Sequence, residues 1–254
     1  MRKTCFVVIL LPLLGYSHAN FAESSHDNGI ATKFKPIAQS PIIPSTQVNN
    51  SSSNQAKKFL LDVPLIKQNP ELKYGCEVTS LTMMLQFAGV NTNKMELFSK
   101  IKKDPDAIQR SRSGDIIRWG NPNDGFVGDM TGKTAGYAVF DQPMEDLVND
   151  YLPDRAVNLT NQSFDEVLKH VAHGYPVVVW TTGDFRLPDR PESWLHGNQI
   201  IHTPLDLHAV VLVGFDEKFV YINDPLAGKK QHAVDKQQFH TSWLALKSRA
   251  ISYH

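Results

Sequence analysis

The chain has 254 residues, 41% apolar and 20% charged, which suffices for one globular core of ordinary soluble composition. Lys plus Arg and Asp plus Glu each number 26, so the formal net charge is zero. No basic field is available to hold nucleic acid or an anionic membrane surface, and the composition argues against both roles.

The chain opens with Arg2 and Lys3, an apolar run from Cys5 to Tyr16, and then Ser17-His18-Ala19, with small residues where signal peptidase reads them. Residues 1–19 are expected to be a signal peptide cleaved after Ala19, giving a secreted or extracytoplasmic protein. The alternative, a membrane anchor, needs roughly 20 apolar residues, whereas this run is about a dozen and Pro12 interrupts it. Cys5 stands at the very start of the apolar run, too early for a lipid-attachment cysteine at a cleavage site. Residues 20–57 are rich in Ser, Asn, Gln and Pro and lack periodicity; they are expected to be a flexible spacer or a dispensable leader. Once the signal is removed, Cys76 is the only cysteine, so no intramolecular disulfide can form.

The folded domain is expected over residues 58–254. Phe59 to Leu65 reads as a short strand, followed by a polar turn with Gln68, Asn69 and Pro70. After Gly75-Cys76, the apolar residues Val78, Leu81, Leu85 and Ala88 recur at helical spacing until Gly89, which places Cys76 at a helix start. Ser163 with Glu166 forms a capping box for a helix that ends at Gly174. Pro176 to Trp180 is then a buried strand. The segment from Gly183 to Leu205 shows no clear period and reads as a substrate-contacting loop or a surface insertion. His208 to Phe215 and Phe219 to Asn223 form a hairpin around Asp216-Glu217-Lys218, and Ala250 to Tyr253 adds an edge strand. Helices first and strands late indicate an α+β domain.

A cysteine attacks as its thiolate, and unpaired amides at a helix N-terminus help to lower its pKa. Cys76 has that placement, although buried free cysteines are common and a core role is the alternative. If the hairpin centres on Asp216, His208 and Asp224 emerge side by side, where a carboxylate can orient the imidazole. Gln68 is a candidate second oxyanion donor beside the Cys76 amide, or else a polar loop residue.

The arrangement of Asp62-Val63-Pro64, Gln68, Gly75-Cys76-Glu77-Val78-Thr79-Ser80-Leu81, His208-Ala209-Val210-Val211 and Asn223-Asp224-Pro225 resembles the bacterial papain-like family related to bacteriocin leader-processing peptidases. Gly125 to Gly128 and Gly174 to Trp180 extend the resemblance across nearly all of residues 59–253. It implies a papain-like fold, with the nucleophile helix packed on an antiparallel sheet. It also implies a cysteine peptidase with Cys76 as nucleophile, His208 as base, Asp224 as orienter and Gln68 as oxyanion donor. The implied partner is a peptide or protein substrate, with no cofactor and no metal. An amidase or transpeptidase acting on cell-wall stem peptides shares this chemistry, and a non-catalytic peptide-binding module shares the scaffold.

Other signals are weaker. Gly128-Asp129-Met130-Thr131-Gly132-Lys133-Thr134 is one residue short of a phosphate loop, and its glycines are expected to shape a loop near the cleft. His170 and His173 lack further metal ligands nearby and are expected to face solvent. The four tryptophans read as core or cleft walls.

Overall fold

The computed structural model describes residues 58–254; the expected signal peptide and spacer lie outside the described residues. In chain order the elements are β1 (Phe59–Leu60), α1 (Cys76–Phe87), α2 (Lys94–Lys100), β2 (Lys103–Asp104), β3 (Gln109–Arg110), β4 (Ile116–Arg118), β5 (Phe126–Val127), α3 (Asp141–Tyr151), β6 (Ala156–Asn158), α4 (Phe164–Ala172), β7 (Val177–Thr182), β8 (Pro191–His196), β9 (Gln199–Pro204), β10 (Leu207–Phe215), β11 (Phe219–Asp224), β12 (Lys229–Asp235), α5 (Lys236–Ala245) and β13 (Ala250–Tyr253). No described helix is long and apolar enough to cross a membrane.

The main sheet has seven antiparallel strands in the order β12-β11-β10-β7-β13-β6, with β1 joined to β10. Strand β10 explains the unbroken apolar run Ala209-Val210-Val211-Leu212-Val213, because both of its faces are covered. Ala209, Val211 and Val213 belong to the core that holds Val78, Leu81 and Leu85 of α1. Val210 and Leu212 pack with Phe164 and Val167 of α4 and Phe239 and Trp243 of α5. Each buried Val or Leu contributes roughly 1.5–3 kcal/mol, so this strand pins the nucleophile helix to the sheet centre. The result is a mixed helix and sheet domain.

Several expectations are corrected. The helices are interleaved with the strands rather than leading them. Strand β13 is not an edge; it sits between β7 and β6. The first strand is confined to Phe59–Leu60, and the Val63 and Pro64 carbonyls accept instead from the Asn223 side chain. The segment from Gly183 to Leu205 contains the hairpin β8-β9, which joins β3 and β4 in a second sheet. His170 does not face solvent freely: it is half-buried, and its Nε2 lies 2.9 Å from Ser252 Oγ on β13. Ser163 caps α4, its hydroxyl accepting from the Glu166 N–H, while the Glu166 carboxylate lies 3.6 Å from Lys169 rather than closing the reciprocal half of the box, and Gly174 takes the positive φ that ends α4.

Candidate active site

Helix α1 begins at Cys76, with Gly75 as its N-cap. The glycine is needed for space: a Cβ there would lie 2.5 Å from Leu72 Cβ, while its φ of −104° suits any residue. Leu72, rather than an approaching substrate, occupies the room that the missing side chain leaves. The Cys76 N–H has no hydrogen-bond partner among the described residues, as the first amide of a helix should not.

The Cys76 sulfur is buried and donates to Glu77 Oε2 at 3.3 Å. Burial first, and the Glu77 charge second, push this thiol well above its ordinary range, while the Ala209 N–H works in the opposite direction. That amide belongs to the residue after His208, so the sulfur rests against the start of β10. The lowering that a helix N-terminus offers is therefore opposed here by burial and by Glu77.

Glu77 is the residue that sequence reasoning passed over. Its side chain is fully buried, and its other oxygen accepts from Val139 N–H at 3.3 Å. The Val139 carbonyl in turn accepts from the Trp180 indole at 3.0 Å, which ties the carboxyl to β7. No salt bridge serves Glu77 among the described residues, and burial raises its pKa to about 7. The sequence shows only an acid in the first turn of a helix, a position where a negative charge ordinarily sits in solvent near the free amides; the burial of the first ten residues of α1 appears only in the fold.

His208 and Asp224 are joined, with His208 Nε2 2.9 Å from Asp224 Oδ1 and both side chains buried. They are diagonal neighbours rather than directly opposed. Val211 pairs with Asn223 and Leu212 with Ile222, so the ladder sets Asp224 against Val210, two residues from His208. The hairpin turns between Glu217 and Lys218, with Asp216 accepting from the Lys218 and Phe219 amides, and a bulge follows at Val213. Asp224 Oδ1 also accepts from the Leu226 and Ala227 amides. Burial pushes the Asp224 carboxyl up, but the His208 bond and charge and these amides outweigh it, and the net shift is downward.

Gln68 is nearly inaccessible, and its Nε2 donates to the Lys73 carbonyl at 2.8 Å. Its backbone N–H donates to the Pro225 carbonyl, which fixes the loop before α1 to the loop after Asp224. One Nε2 hydrogen is thus engaged, leaving the second for a ligand.

Gln68, Cys76 and His208 line one cleft of about 680 Å³. Cys76 and His208 are not hydrogen-bonded to each other; the imidazole nitrogen not held by Asp224 is Nδ1. One wall is aromatic: Trp119 and Tyr137, which line the cleft, pack with each other at a ring-centroid distance of 6.2 Å and with Trp194 at 5.5 and 5.4 Å. Trp194 arrives on β8, within the segment that showed no period in the sequence. The Gly128 to Thr134 turn, closed by Asp129 accepting from Thr131 and Thr134 amides, leads to Ala135 and Gly136 at the cleft edge. Its glycines shape this neighbourhood, as expected.

A comparison with protein families matches residues 60–251 to the Peptidase C39-like family. The chain is 35% identical over 209 residues to the uncharacterized protein YvpB of Bacillus subtilis (strain 168), covering 80% of each. It also matches the crystal structure of a chain from Bacillus anthracis described as a C39-like peptidase. That match has a TM-score of 0.71 and 41% identity, and it covers 78% of this chain and 98% of that one.

Proposed function

Because the chain belongs to the Peptidase C39-like family, we propose that it is a cysteine peptidase in which Cys76, His208, Asp224 and Gln68 carry out acyl transfer to water. The observation that supports this most directly is the convergence of Gln68, Cys76 and an Asp224-held His208 on one cleft. In this reading His208 takes the Cys76 proton as the sulfur attacks a peptide carbonyl. The Cys76 N–H and the free Gln68 N–H then hold the oxyanion. The imidazolium returns its proton to the departing amine, leaving an acyl-enzyme. Water, deprotonated by His208, attacks that thioester and releases the acid and the free thiol. Asp224 keeps one ring nitrogen occupied and stabilises the imidazolium. The N-terminal sequence supports export, so the work would be done outside the cytoplasm.

The test is a fragment profile of mixed peptides incubated with the full chain and with Cys76→Ala. New termini formed only by the parent are expected. Identical profiles from the two proteins would remove the peptidase reading. Labelling by an electrophilic thiol probe separates enzyme from binding module: where His208 assists the sulfur, labelling of the folded protein slows in His208→Ala, whereas an unassisted thiol labels at the same rate in both.

A further inference from the structure

The cleft around Cys76 meets a second cavity of about 340 Å³ at three shared residues, Leu207, His208 and Leu226. The charged residues lining the two spaces, apart from His208, segregate completely by sign. Lys73, Arg110 and Arg190 line the Cys76 side, and no Asp or Glu does. Asp184, Asp189 and Asp206 line the other side, and no Lys or Arg does.

None of these six groups is in a salt bridge among the described residues, where nine such pairs occur elsewhere. Arg110 donates only to the Gly114 carbonyl. The Lys73 ammonium lies 5.2 Å from the Tyr74 ring centre. Asp206 Oδ1 is shielded from solvent and accepts no hydrogen bond. The cations come from three separate stretches of chain, before α1, on β3 and before β8, so the folding topology gathers them rather than one basic run. Like charges gathered without counter-ions repel one another, and a ligand of opposite sign relieves that repulsion.

We infer that this cleft selects a dipolar peptide segment, with a carboxylate-bearing residue on the Cys76 side and a cationic residue beyond His208. The apolar surface of Ile116, Trp119 and Tyr137 takes the stretch next to the carboxylate. The inference names the substrate class of the proposed peptidase and rests on that reading for the direction of chemistry, though not for binding. Asp189 and Arg190 are consecutive yet line different cavities, which places the charge boundary at one peptide unit of that rim.

The test is binding to the full chain carrying Cys76→Ala, which holds peptides without cutting them. Two fluorescent peptides of one composition are compared by anisotropy, one with Glu before and Lys after a short apolar centre, the other with the two exchanged. One order should bind about tenfold more tightly, as several rim pairs each contribute about two- to fivefold. Adding salt should shrink the difference, because exposed charges are screened over about 8 Å at physiological ionic strength. Arg110→Glu combined with Arg190→Glu should abolish or invert it; both residues are exposed, and a thermal melt checks the fold. Equal binding of the two orders, no binding of either, or a preference that survives the double reversal would overturn the inference. Because binding is read without the sulfur, its outcome is independent of whether Cys76 hydrolyses peptides.

Discussion

Replacing Glu77 by Gln tests whether a buried proton sits beside the nucleophile. The carboxyl titrates at about 7 in the folded chain against an ordinary 4.5, because burial penalises its charged form. Below pH 4.5 the group is protonated in both folded and unfolded states and contributes nothing. Between 4.5 and 7 the unfolded chain loses the proton and the folded chain keeps it, so stability falls as pH rises. Above 7 the loss is complete, at about 3 kcal/mol for a difference of this size. Glutamine keeps the volume and can still accept from Val139 N–H, but it carries no charge. Glu77→Gln should therefore match the parent at pH 4 and exceed it by up to about 3 kcal/mol at pH 8. For a domain of this size that corresponds to a rise of about 6–12 °C in melting temperature. The assay is thermal unfolding followed by circular dichroism across pH 4–8. The same slope of melting temperature against pH in both proteins would show that Glu77 does not hold this proton.

Asp224→Asn should lower kcat by about 10³- to 10⁴-fold, since the amide sets the wrong tautomer on His208; steady-state kinetics on a cleaved peptide measure it. The same carboxyl, depressed when folded, contributes stability that is present above its unfolded value and lost as pH falls through the folded one, so the variant should flatten the acid limb of the unfolding curve. Gln68→Ala should reduce kcat by about 10²- to 10³-fold with a smaller effect on KM, as loss of an oxyanion donor does; equal turnover would remove Gln68 from the site. Ser163→Ala should cost about 1 kcal/mol in denaturant unfolding through the lost cap of α4, with activity unchanged.

The elements that sequence made legible are those in which one local rule dominates. Helix α1 had its apolar spacing and a terminal glycine, α4 had Ser163 and Gly174, and β10 had five consecutive apolar residues. What stayed hidden depends on distant partners. Strand β8 alternates poorly because Trp194 is anchored by donating to the Gly120 carbonyl, 74 residues away. Helix α5, from Lys236 to Ala245, reads as polar in sequence and is held by Phe239 and Trp243 under the sheet. Helix α2 did carry a signal, since Asn93 accepts from the amides of Met95 and Glu96, but it is only seven residues long. The pairing of His208 with Asp224 was reachable although the register was not. Both side chains are long enough to meet across a diagonal, so an error of two residues left the contact intact.

The helix start and the buried acid act on Cys76 in opposite directions, and their sizes decide its resting state. A helix N-terminus favours a neighbouring negative charge by about 0.3–1 kcal/mol, rising to about 2 in partly buried settings. An ionised Glu77, 3.3 Å from the sulfur, opposes the thiolate by about 5 kcal/mol at an effective dielectric constant of 20. The acid wins while it is charged, and Cys76 rests as a thiol. When Glu77 is protonated its charge no longer opposes the thiolate; burial, the larger cause, still does, and the helix amides and the Ala209 N–H stabilise the sulfur against it as the proton passes to His208. Glu77→Gln locks in the uncharged condition and can turn an amide N–H toward the sulfur. Iodoacetamide should therefore alkylate Cys76 in that variant faster than in the parent at pH 8, and at a similar rate at pH 5.5, where the parent carboxyl already holds its proton. A parent-like rate at pH 8 would show that the carboxylate does not restrain the nucleophile, and Cys76 would then owe its protonation to burial alone.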